Sequence, residues 1–230
     1  MAKRAVVLLS GGLDSSVALF VAREAGYELH ALTFQYGQRH SRELECARWQ
    51  AAQAGACTHR VVDLSLAQWG GSSLTDEGLA IEAGNLARLE APNTYVPARN
   101  MVFIAVAASM AEAIGAEAIY LGVSEADYSG YVDCRAEFLK AMEAAVNLGT
   151  ERKTLAGRPM ALVAPFLHMR KPEEIALGRR LGVDFGHTWS CYAGEETPCG
   201  RCDSCLLRAR AFSEAGLPDP LLDVPRARVR

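Results

Sequence analysis

The sequence predicts an α/β protein: a five-stranded, mostly parallel sheet flanked by helices, with a small cysteine-bearing module near the C-terminal end. Three observations lead there. Short unbroken apolar runs alternate with helix-length segments, a glycine-containing turn joins the first run to the first helix, and four of the seven cysteines fall between positions 191 and 205.

Residues 5–9 form a short apolar run, as expected of a parallel strand buried on both faces, and the helix that follows spans 15–25 and closes at Gly26. Residues 29–34 read as the second strand and lead into Gln35, Tyr36, Gly37, Gln38, Arg39 and His40. Ser41 can cap a helix running to Ala54, and 60–64 is the third strand. The stretch 65–98 mixes glycine, serine and proline without a sustained period, so it is expected to be a lid, a partner surface or partly disordered. Residues 101–114 are apolar almost all round, which suits a helix buried against the sheet or against a second copy of the chain; a homodimer is therefore allowed. Just before that helix, Arg99 and Asn100 have two readings: Asn100 as its N-cap after a proline-fixed loop, or both residues facing a nucleotide.

Residues 118–123 are the fourth strand, and 135–148 a helix with Phe138, Met142 and Ala145 on one face. A short fifth strand covers 161–164. Pro172 suits the first position of the next helix, Glu173 and Glu174 favour its positive end, and Gly182 closes it. Lys171, placed just outside, is either a phosphate contact or an ordinary exposed lysine.

Between the first strand and helix lie Ser10, Gly11, Gly12, Leu13, Asp14, Ser15 and Ser16. Two glycines let the backbone turn sharply and approach a ligand, and the open N–H groups at a helix start favour an anion. The plain alternative is a strand-to-helix turn with Asp14 or Ser15 as cap. Neither the Gly-Lys-Ser/Thr of a Walker loop nor the Gly-x-Gly-x-x-Gly of a dinucleotide fold is present. The stretch resembles the pyrophosphate loop of the N-type ATP pyrophosphatases, which split ATP between its α and β phosphates. That resemblance implies an ATP site from Leu9 through Ser16 into Val17, Ala18 and Leu19, completed by Arg99 and Asn100, with Ser10, Asp14, Ser15 and Lys171 as catalytic groups.

A chain of 230 residues, half of them hydrophobic, suffices for one core and a small appendage but not for an added glutaminase or RNA-binding domain. The first strand begins within a few residues of Met1 and no apolar run approaches a membrane span, so no signal peptide, no membrane and a cytoplasmic setting are expected. A net charge of -3 favours small-molecule substrates over nucleic acid. Cys191, Cys199, Cys202 and Cys205 have the spacing Cys-x7-Cys-x2-Cys-x2-Cys, which in a reducing cytoplasm suits one closed structural Zn²⁺ site. An iron–sulfur cluster is the rival, although the proline that follows the last cysteine in ferredoxin-type runs is missing. Cys46, Cys57 and Cys134 are read as packing residues. The chain then divides into an α/β domain over 1–186, a four-cysteine module with a C-terminal helix over 187–216, and a tail over 217–230.

These blocks, together with Phe34 to Gln38, Tyr95 to Asn100, Thr188 to Tyr192 and the run Asp127, Tyr128, Ser129, Gly130, Tyr131, Val132, Asp133, Cys134, Arg135, resemble the 7-cyano-7-deazaguanine synthase family of queuosine-precursor biosynthesis. The resemblance implies the strand order 3-2-1-4-5, which places the pyrophosphate loop and the 124–135 loop across one crevice at the switch point. It also implies a reaction. The carboxylate of 7-carboxy-7-deazaguanine attacks ATP, assisted by Mg²⁺, ammonia converts the adenylate to an amide, and a second activation gives the nitrile. Asp133 or Asp127 could then accept the ring N–H donors, Tyr128 or Tyr131 stack, and Arg135 pair with the carboxylate. Asp14 could cap the helix or hold the metal. A tRNA-thiolating enzyme and a non-catalytic nucleotide-binding protein are the rival functions.

Overall fold

The computed structural model describes residues 2–39, 42–88, 90–124 and 131–222. Strands β1 (Arg4–Leu8), β2 (Glu28–Gln35), β3 (Thr58–Asp63), β4 (Ala118–Tyr120) and β5 (Ala161–Val163) form one sheet in the order β3-β2-β1-β4-β5. All four pairings are parallel, with Val7 opposite both Ala31 and Tyr120. The order reverses between β1 and β4, the place where sheets of this kind bind ligands.

The pleat explains how the central strand serves two cores. Ala5, Val6 and Val7 are all fully buried, but Ala5 and Val7 join a cluster with helices α1 (Leu13–Glu24), α2 (Arg42–Ala54) and α6 (Lys171–Leu181), while Val6 points to the opposite cluster beneath α3 (Arg99–Ile114) and α4 (Ala136–Gly149). A four-residue helical turn, α5 (Glu151–Thr154), follows α4. The last helix, α7 (Asp203–Glu214), sends Ala211 and Phe212 into the same cluster as α1. Burial against the sheet accounts for the apolar inner face of α3, where Ile104, Ala107 and Ala111 are fully covered.

Several local expectations change. Asn100 is not the N-cap of α3: Ala98 holds that position with φ of 54°, and the Asn100 N–H is instead accepted by Asp133 Oδ2 at 3.2 Å. No cap lies in the adjacent sequence, so a distant carboxylate serves. On α4 the buried positions are Leu139 and Val146, with Phe138 and Met142 partly covered; Ala145 is exposed because the stripe turns by one position. Lys171 is inside α6 rather than outside it, Arg170 is the N-cap, and Pro172 takes the second helical position. Glu173 closes a capping box by accepting the Arg170 N–H at 3.1 Å. Glu174, read as a charge favouring the helix start, is wholly buried. Asp14 and Ser15 cap nothing: the N-cap of α1 is Gly12, and no side chain bonds to it as a cap.

Among its described residues the 65–98 stretch carries a single 3₁₀ turn at Leu66–Trp69 and is otherwise irregular. It packs by polar contacts that periodicity cannot reveal: Ser72 and Ser73 are buried, Arg39 donates to the carbonyls of Asp76 and Leu79, and Gly84 N–H donates to Arg201 O at 2.8 Å. Ser41, Asp127 and Tyr128 lie outside the described residues.

Candidate functional site

A cavity of about 320 Å³ opens at the switch point and is bounded on one side by the glycine turn after β1. Gly11 has φ of +87°, and a Cβ there would lie 2.1 Å from the Glu43 carbonyl oxygen. Only glycine lets this turn pass over the first turn of α2. The turn is then braced by its own hydroxyls. Gly12 N–H donates to Ser10 Oγ at 3.1 Å, Ser10 N–H donates to Ser15 Oγ at 3.1 Å, and the two hydroxyls are 2.9 Å apart. Ser16 Oγ donates to Gly12 O at 2.7 Å. Leu9 and Leu13 line the cavity with Ser10, Gly12, Asp14 and Ser15, whereas Val17, Ala18 and Leu19 are fully buried behind the loop and support it. No side chain caps α1, and uncapped N–H groups at a helix start are of the kind that favour an anion.

Lys171 comes from the start of α6 to this wall. Its Nζ lies 2.5 Å from Asp14 Oδ1 and 2.9 Å from Glu174 Oε2, and the two carboxyl groups hold its pKa above the ordinary lysine value. Burial pushes the Glu174 carboxyl upward, with the nearby Asp14 adding to the shift. Gly122, just past β4, completes the fit, since a Cβ there would meet Ser15 N at 2.5 Å. Sequence reasoning missed Gly122, which acts through a contact with a residue far away in the chain, and read Glu174 only as a charge at the helix start.

The facing wall is aromatic and carries one cation. Phe34 and Phe103 stack at 4.1 Å, and Arg99 lies over Tyr36 and Phe103 while donating to Tyr36 Oη at 3.2 Å. The Arg99 Nε is buried without a hydrogen-bond partner. Asn100 and Cys134 line the same space, linked by an Asn100 Nδ2 to Cys134 Sγ contact of 3.5 Å. Tyr131 is there too, its hydroxyl 2.9 Å from Thr94 Oγ1. Asp133 is buried beside α3 with Oδ1 unpartnered, and Arg135 is exposed at the N-cap of α4. Glu43, which sequence reasoning did not select, lines the cavity between the glycine turn and Arg99.

The four C-terminal thiols come together. The Sγ atoms of Cys191, Cys199, Cys202 and Cys205 all lie within 4.8 Å of one another. Tetrahedral thiolate coordination places sulfurs about 3.8 Å apart, so the set fits a single ion with little movement. Cys191 Sγ already accepts N–H groups from Cys199 at 3.2 Å and Ala193 at 3.4 Å, the surroundings of a thiolate. Cys46 packs against this group but is not in it. Trp189 couples the cluster to the loop: it is buried among the cysteines, its indole N–H donates to Cys191 O at 2.9 Å, and its backbone N–H donates to Gly11 O at 2.9 Å.

A family model described as "Queuosine biosynthesis protein QueC" matches residues 4–216. A 7-cyano-7-deazaguanine synthase of Clostridium kluyveri is 52% identical over 95% of this chain and 97% of its own length, and one of Nostoc punctiforme is 49% identical over 95% and 99%. Among solved structures, a 4-thiouridine synthetase crystallised with RNA and bound ATP aligns over 93% of this chain and 50% of that one, with a TM-score of 0.53 at 20% identity; the likeness is one of fold.

Proposed function

The chain belongs to the queuosine biosynthesis protein QueC family, and from that premise we propose that it converts 7-carboxy-7-deazaguanine and ammonia into 7-cyano-7-deazaguanine at the expense of ATP, as a carbon–nitrogen ligase that forms a nitrile. The observation that carries this reading is one cavity with two unlike walls: an anion-receiving glycine turn with Lys171, and an aromatic wall holding the Arg99 cation. A triphosphate and a flat heteroaromatic carboxylate suit those walls.

A ring carboxylate is a poor electrophile because its oxygen is a poor leaving group. Attack by that oxygen on the α-phosphorus expels pyrophosphate and leaves an acyl adenylate. The Ser10 to Ser15 turn supplies hydroxyls and N–H groups to the departing pyrophosphate, and Lys171 adds a fixed charge. Mg²⁺ bound with ATP would neutralise phosphate charge, and Asp14, half-exposed at the cavity edge, is the carboxylate able to hold it. Arg99 is better placed than the exposed Arg135 to orient the substrate carboxylate, since its Nε is buried and lacks a partner. Tyr131 flanks the ring. Asp133 supports this wall by receiving the Asn100 N–H.

Both oxygens of the acid must leave, and the described residues hold a single such cavity with one pyrophosphate loop. The same site therefore acts twice, through the amide. The four cysteines hold one structural Zn²⁺, which fits thiols kept reduced in a cytoplasmic protein, and a homodimer belongs to the same proposal. The tRNA-thiolation reading loses support, because the family model and the relatives at about half identity over nearly the whole chain are of the cyano-deazaguanine family. Product analysis tests the proposal: 7-carboxy-7-deazaguanine, ATP and ammonium should give the nitrile, AMP and pyrophosphate, whereas ADP and phosphate as the only nucleotide products would refute it.

A further inference from the structure

The adenylate is half of the chemistry. When ammonia adds to the activated carbonyl, the new nitrogen carries a positive charge, and the intermediate falls back unless a base removes a proton. The other titratable groups on the two walls are unsuited to that task. Lys171 is held as a cation between Asp14 and Glu174, and Asp14 is engaged in that pair. Tyr36 is pushed upward by burial and keeps its proton, burial raises the Cys134 thiol to about 12, and Arg99 is a permanent cation.

The geometry points to Glu43 as the catalytic base that accepts this proton, an assignment that rests on the nitrile-forming reaction proposed above. Glu43 stands in the first turn of α2, its backbone directly beneath Gly11, and its side chain borders the same cavity as Ser10, Gly12 and Arg99. It is thus between the wall that receives phosphates and the wall that holds the carboxylate. It makes no hydrogen bond or ion pair among the described residues, unlike Asp14, so it is the unengaged carboxyl of this cavity. The titratable groups that face it are Arg99 from α3, Tyr36 beyond β2, and Cys46 one turn along its own helix. Burial raises its pKa to about 8, with Arg99 opposing the rise in part. A carboxylate of that basicity is matched to proton transfer near neutral pH.

The step balances without any added reagent. The ammonia lone pair forms the C–N bond, and the carbonyl π pair moves to oxygen. A Glu43 carboxylate oxygen takes one N–H proton and becomes the acid. The oxygen pair then re-forms C=O, the bond to the adenylate oxygen breaks, and AMP leaves with those electrons. Glu43 returns its proton to solvent before the next turn.

Glu43→Gln in the full-length protein separates the two half-reactions. Carboxylate-dependent exchange of labelled pyrophosphate into ATP should continue at the wild-type rate, while amide formation at fixed free ammonia falls about 10²–10⁴-fold. The wild-type rate, corrected for free ammonia, should rise through an acid limb near pH 8, and the limb should vanish in the variant. Hydroxylamine, a much weaker base than ammonia, should restore turnover to Glu43→Gln as the hydroxamate, which shows that the variant folds and adenylates. Amide formation at the wild-type rate with an unchanged limb would overturn the assignment, and so would equal loss of exchange and amide formation. Absence of exchange in the wild type would instead remove the proposed function itself, and this assignment with it.

Discussion

The two walls of the cavity are built in opposite ways. The glycine turn is contiguous: seven residues, from Ser10 to Ser16, make the bend, brace it with their own hydroxyls and open the helix behind it. The facing wall is assembled from Tyr36 after β2, Arg99 on α3 and Tyr131 before α4, with Glu43 of α2 where it meets the glycine turn. A local wall can be read as a motif, whereas a dispersed one exists only after the sheet has been ordered. The contrast also divides labour: the contiguous wall suits the invariant part of the reaction, phosphate departure, and the dispersed wall suits the substrate-specific part.

If that division is right, damage to the first wall should be general and damage to the second selective. The largest effect expected is for Lys171→Ala, which removes the fixed charge near the departing pyrophosphate and leaves Asp14 and Glu174 without a cation. Turnover of both the acid and the amide should fall about 10²–10³-fold or more, measured as AMP release with each substrate. A Lys171 or pyrophosphate-loop variant that loses one half-reaction and keeps the other would break the single-site reading.

Next in size is loss of a cysteine. Replacing Cys202 with Ser should lower the melting temperature by roughly 10 °C or render the protein insoluble, because the binding energy of a structural metal is part of the folding energy. The wild type should be colourless, with one zinc per chain by elemental analysis, and a brown protein would point to iron and sulfur. Because Trp189 joins the cluster to Gly11, the soluble remainder should also bind ATP more weakly.

Arg99→Met sharpens the comparison on the other wall. If Arg99 orients the substrate carboxylate, KM for the acid should rise about 10-fold or more, while the neutral amide, which has no carboxylate to pair, should be affected far less. Equal losses with both substrates would mean that Arg99 serves the nucleotide instead.

What could be read from the sequence follows the same line. The strand order agrees with what the family resemblance implies, and the glycine turn and the four cysteines come together as their spacing suggests. Glu174 was legible only as a charge favouring a helix start, since its burial depends on α6 packing against α1. For Asn100 the sequence allowed a cap or a nucleotide contact; the cap came from Asp133, 33 positions later, and no local pattern contains that pairing. Glu43 gave no sign at all, sitting among the charges of an ordinary amphipathic helix.

Glu43 also makes the smallest effect predictable, one in stability rather than rate. Its folded-state pKa of about 8 lies above the ordinary carboxylate value of 4.5, so the folded protein holds a proton on this group that the unfolded chain releases. Between those two values the unfolded state binds fewer protons, and stability must fall as pH rises. The contribution is intact below about pH 4.5 and is lost progressively until the folded carboxyl ionises near pH 8. Glutamine keeps the shape and cannot ionise. Melting temperature plotted from pH 5 to pH 8 should therefore decline more steeply in the wild type than in Glu43→Gln. Parallel curves would mean that the Glu43 carboxyl is as well solvated in the folded state as in the unfolded one, and that the dispersed wall has no group tuned for proton transfer.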